Sequence, residues 1–175
     1  MHACSFGAVI FVGNQRSWIT TFRNYLPTSD SAIETNIVHM RLPFNIHQIG
    51  GIDFIFPKIN LNEIDDVRNA TRSMKDFIEQ RRYLEVRMLF LFNYMSPKMR
   101  QVLICLSAAN IDTTLVSFMP GRLTLPLYLQ VCSYLNVRTK TVSSRCLDDA
   151  DITSILENIF DDSHLIELFA SFRIA

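Results

Sequence analysis

Glycine is scarce in this chain, with five in 175 residues, so few backbone positions are free to wrap closely around a ligand. The sequence contains no G-x-G-x-x-G, no phosphate loop of the G-x-x-x-x-G-K-[ST] type, no G-x-S-x-G and no H-E-x-x-H. Those absences remove the common dinucleotide, P-loop, serine-hydrolase and zinc-protease chemistries. The four cysteines, Cys4, Cys105, Cys132 and Cys146, show no C-x-x-C spacing, which argues against a zinc site or a disulfide framework and for reduced thiols packed as small hydrophobes. No apolar run approaches the roughly 20 residues that span a bilayer, so a membrane role would be peripheral. The apolar start, Met1 to Gly13, lacks a basic flank and an A-x-A-like cleavage site, and makes a poor signal peptide. Net charge is missing too: 17 basic against 17 acidic residues excludes the broad positive field of a protein that coats nucleic acid by itself.

What is present is apolar material. At 49% hydrophobic residues the chain can build one core, and its length suits a single domain, 1–175. The best-defined part is 60–109, which reads as helix, strand, helix. Leu61, Ile64, Val67, Thr71, Met74 and Ile78 recur at three-and-four spacing on one side of a helix, with Asn60 or Asn62 available as cap. From Arg82 the period becomes two: Leu84, Val86, Met88, Phe90, Phe92 and Tyr94 share one face of a strand. Ser96-Pro97 then starts a second helix, whose buried side is Met99, Val102, Leu103 and Leu106.

Around this core, 1–59 reads mainly as a β ribbon. Ala3 to Val12 predicts a first strand, Trp18 to Leu26 suits helix or strand equally, and Pro27 to Ser31 is a loop. Ile33 to Leu42 and Ile52 to Ile59 predict strands, the second entered through Gly50-Gly51. Strands are expected again over 113–142, including Leu123 to Val131, with Pro126 marking an edge or bulge. Helices are expected over 148–172, with Ile152, Ile155, Leu156 and Ile159 in one stripe and Ser163 as a later cap. The expected fold class is α+β: a single domain with a mixed, mostly antiparallel sheet packed against two central helices and a C-terminal helical region.

No catalytic constellation assembles from these elements. His39 and His47 are eight apart without an evident third ligand and read as ordinary strand or loop histidines; Cys4 beside His2 lies near the start, where fixed geometry is not expected. Asp148, Asp149 and Asp151, like Asp161-Asp162, precede helices, where capping accounts for them. One charged pattern is sharper. At 100° per residue Arg68, Arg72, Lys75 and Arg82 project within about 80° of one another, and with Arg81 they make a basic edge suited to phosphates, anionic lipid or an acidic partner. Arginine supplies 13 of the 17 cations and favours ordered contacts to such groups, or buried ion pairs. Arg138, Lys140 and Arg145 form a second, weaker basic patch.

The run Asp66-Val67, Ala70, Asp76, Arg81-Arg82, followed by a strand with Met88, Leu89, Phe90 and Leu91, resembles the central helix and next strand of the rhabdovirus matrix proteins. The extended Leu125 to Val137 segment before Asp148-Asp149 and an apolar helix is similar to that family's closing strands and C-terminal helix. The resemblance implies a non-enzymatic virion protein of the plant-infecting cytoplasmic branch that self-associates as a homo-oligomer. It would bind and condense the nucleocapsid through the viral nucleoprotein, and lie in the host cytoplasm peripheral to an anionic membrane during virus assembly. Direct RNA contact stays open. The chain departs from the family's animal-virus members in lacking a basic N-terminal arm and a PPxY motif. From another class, the alternative is a small protein-protein interaction module without self-assembly, which would use a sheet edge or groove. Neither reading calls for a cofactor or metal.

Overall fold

The apolar run expected near the start of the chain forms β1 (Gly7–Gly13), buried on both faces from Gly7 to Val12. The computed structural model describes residues 6–13, 16–26, 31–35, 44–92, 96–117, 137–141 and 148–172. Around β1 a seven-stranded sheet is laid out in the order β2-β3-β4-β1-β5-β6-β7. Its other strands are β2 (Ser31–Thr35), β3 (Phe44–Ile49), β4 (Ile52–Pro57), β5 (Glu85–Phe92), β6 (Asp112–Ser117) and β7 (Val137–Thr141).

The expected single domain of mixed sheet and helices is what the chain forms, but the sheet is not mostly antiparallel. β1 pairs in parallel with β4 and with β5, and β6 pairs in parallel with β5 and β7. Among the described strands only β2–β3 and β3–β4 are antiparallel, the latter closed by Gly50 and Gly51 at φ of 57° and 89°, left-handed values that a type I′ hairpin turn requires. The reason lies in β5. Met88, Phe90 and Phe92 face one core, while Leu89 and Leu91 face the other, so the strand is apolar on both sides. Such continuous runs belong to parallel strands covered by helices on both faces. A period of two on one face had hidden the apolar content of the second.

Two helix layers provide the cover. On one face α2 (Ile64–Gln80) and α3 (Pro97–Ser107) pack against Ala8, Ile10, Val12, Met88, Phe90 and Leu115. On the other, α1 (Arg16–Tyr25), α4 (Asp149–Glu157) and α5 (Ser163–Phe172) cover Val9, Phe11, Phe54, Leu89, Leu91 and Val116. The five parallel strands, taken in chain order, follow the sequence second, first, third, fourth, fifth, one of the two common doubly wound arrangements. The ambiguous Trp18–Leu26 stretch is therefore helical up to Tyr25, and it buries Phe22 against Phe11.

Local expectations hold well in the core. Ser96 Oγ accepts from the Met99 N–H at 3.1 Å with Pro97 following it, and α3 buries Met99, Val102, Leu103 and Leu106. On α2 the buried side is Val67, Ala70, Thr71, Met74 and Phe77, shifted from the expected stripe so that Ile64 is exposed and Phe77 takes its share. Burying a side chain such as Met74 or Phe77 contributes about 1.5–3 kcal/mol. Neither asparagine caps the helix: the N-cap is Glu63, without a side-chain bond, and the Asn60 N–H donates to Asp66 Oδ2 at 2.7 Å. Likewise Asp162, not Ser163, caps α5, its Oδ1 accepting from the His164 N–H at 2.9 Å. The strand expected over Leu123 to Val131 and the loop residues 27–30 lie outside the described residues.

Candidate functional site

An amphipathic helix that spends one side on the sheet presents the opposite side to solvent, and on α2 that outer side carries the basic edge. Arg68, Arg72 and Lys75 are all exposed, as is Arg82 just beyond the helix. Arg68 pairs with Asp65 at 3.5 Å, an exposed pair of the kind that contributes little. Arg72, Lys75 and Arg82 have no ion-pair partner among the described residues, although Asp76 and Glu79 share the same side of the helix.

Arg81 does not join them. The helix ends at Gln80, and Arg81 turns into extended backbone (φ −110°, ψ 127°), so 100° per residue no longer sets its direction. Its guanidinium lies 4.6 Å from the Phe77 ring centroid and 3.7 Å from Asp53 Oδ2. Asp53 is fully buried at the start of β4 and also accepts from the Tyr83 hydroxyl at 2.6 Å. Burial first, then the Asp53 charge, pushes the Tyr83 phenol above its ordinary value. A lone Asp between Ile52 and Phe54 was the signal for this arrangement, because a buried carboxylate needs a donor or a cation.

Two of the three residues of the second patch fall on described residues. Arg138 and Lys140 fall on the edge strand β7, in register with Thr114 and Val116, while Arg145 lies outside the described residues. Of the histidines weighed as ligands, His39 is outside them as well; His47 sits half-buried on β3, its ring edge-on to Phe56 at 5.4 Å. Burial, and secondarily the Arg23 charge, holds its pKa below the ordinary 6.5. Cys105 is a free, half-buried thiol on α3; Cys4, Cys132 and Cys146 are not described. Among the described residues, no group of three His, Cys, Asp or Glu side chains is placed to hold a metal ion, and no helix is long and apolar enough to cross a membrane.

Sequence reasoning passed over Arg87, which makes three ion pairs. It reaches Glu85 at 2.5 Å, Asp161 at 3.3 Å and Asp112 at 3.5 Å, and its Nε donates to the Ile159 carbonyl at 3.2 Å. Glu85 in turn accepts from the backbone N–H groups of Asp161 and Asp162, which ties the α4–α5 junction to the start of β5.

At the opposite, C-terminal end of the strands, where doubly wound proteins place their ligands, β1 passes into α1 through residues 14–15 alone. That connection is too short for a G-x-x-x-x-G-K-[ST] loop. Gly13, at φ 148°, is packed so closely that a Cβ would fall 1.9 Å from the Leu91 carbonyl oxygen. The chain matches no protein-family model and no curated protein.

Proposed function

We propose that this chain is a non-enzymatic interaction module that holds an acidic segment of a partner protein against the outer edge of α2. The observation that carries this reading is that Arg72 and Lys75 are exposed on one edge of α2 without an ion-pair partner among the described residues. Cations held on a rigid, well-packed helix meet an acidic surface with little reorganisation, and the attraction is screened by salt.

The test is binding of a polyglutamate peptide to the whole chain at low and at high salt. Arg72→Glu combined with Lys75→Glu should weaken binding at least about tenfold, with folding stability changed by no more than about 0.5 kcal/mol, as is usual for surface substitutions. Unchanged affinity in the double variant would remove α2 as the docking edge. The matrix-type version of this reading rests on the resemblance of 66–91 and 125–148 and adds self-association, nucleocapsid binding and attachment to anionic membrane. Sedimentation across concentration separates the two, since the matrix-type protein grows into larger species and the simple module does not.

A further inference from the structure

A cavity of about 270 Å³ opens at the C-terminal ends of β1 and β4, under the inner side of α1. Its size lies just below the range for drug-sized ligand pockets, about 300–1,000 Å³, and suits a small ligand. The wall is apolar and aromatic. Phe11 and Phe56 stack with centroids 4.7 Å apart and planes 6° from parallel, and Val12, Ile19, Ile59 and Leu61 add to the apolar lining.

Two cations stand at this wall, Arg23 from α1 and Lys58 from just beyond β4, both exposed to solvent. The Arg23 guanidinium carbon lies 4.8 Å from the Phe56 ring centroid, so its charge is held over the aromatic floor. Among the described residues lining the cavity there is no carboxylate. None of these groups takes part in the basic edge of α2, so the cavity is a separate site.

We infer that the cavity binds a small organic oxyanion with an apolar body, the body seated against the apolar lining and the anionic head held by Arg23 and Lys58. A phosphate monoester and a carboxylate share this chemistry. The two cations supply charge-assisted hydrogen bonds at the rim, and the apolar lining supplies desolvation of the body. A bare anion would gain only the first, and a neutral aromatic only the second.

The experiment is an NMR titration of the isotopically labelled full chain with four probes: phenyl phosphate, benzoate, inorganic phosphate and benzyl alcohol. Saturable shifts at the amides of Thr20, Phe56 and Lys58 are expected with phenyl phosphate or benzoate, at least about tenfold tighter than with the other two. Whichever of the first two binds more tightly assigns the head group. Arg23→Gln and Lys58→Gln should each weaken that probe about tenfold, and because both side chains are exposed the variants retain the fold, which the unperturbed remainder of the spectrum reports. Shifts that do not saturate, benzyl alcohol binding as well as the anions, or variants that bind like the parent would each overturn the assignment.

Discussion

The two ends of the parallel sheet treat charge in opposite ways. At the N-terminal ends of the strands, Asp53 is buried against Arg81 and Tyr83, and Arg87 is enclosed by Glu85, Asp112 and Asp161. At the C-terminal ends, Arg23 and Lys58 stand beside a cavity whose described lining has no carboxylate. The first end uses paired charges to clamp loops and helix junctions onto the sheet. The second leaves positive potential directed at solvent. Stability and recognition are thereby separated along the strand axis, and a substitution should report which end it belongs to.

The largest effect is expected from Asp53→Ala, which strips a half-buried guanidinium of its partner and a mostly buried hydroxyl of its acceptor. A loss of about 3 kcal/mol is expected, at the low end for a broken buried pair because Arg81 can swing toward water. Urea unfolding would measure it. Arg87→Met follows at about 2 kcal/mol, since it removes the cation that Glu85, Asp112 and Asp161 share.

Tyr83→Phe should cost about 1 kcal/mol and also carries a pH signature. The raised phenol pKa means that the unfolded chain releases this proton near pH 10 while the folded chain keeps it. Its stabilising contribution is present below that pH and is lost as pH rises above it, so the parent should weaken on the alkaline side more steeply than the variant. Denaturation midpoints across that range check this.

The smallest change in stability is expected for Arg23→Gln, within about 0.5 kcal/mol because the side chain is exposed. It should nevertheless move His47. With the second cause of the depression gone, the imidazole pKa rises, and the acid-side loss of stability that begins as pH falls below 6.5 becomes shallower. An NMR titration of His47 reads the direction. Should Arg23→Gln destabilise as much as Arg87→Met, the contrast between the two ends would be broken.

Much of the local structure was legible. The Ser96 cap, the buried side of α3, the Gly50-Gly51 turn and the stripe Ile152, Ile155, Leu156 and Ile159 all follow from short-range periodicity and turn chemistry, and all stand in the structure. The candidate site was legible where the helix period applied, at Arg68, Arg72 and Lys75. It failed at Arg81, one residue past the helix end, and it missed Arg23 and Lys58, whose sequence neighbours share no pattern.

By itself, then, the sequence determined the positions of α2, β5 and α3 and the absence of a phosphate-loop motif, because those depend on residues within a few positions of one another. Strand direction and order, the burial of β5 on both faces and the sorting of arginines into clamps and exposed cations were decided by the tertiary structure. Each depends on residues tens of positions apart, and only the packing of two helix layers against one sheet brings them together.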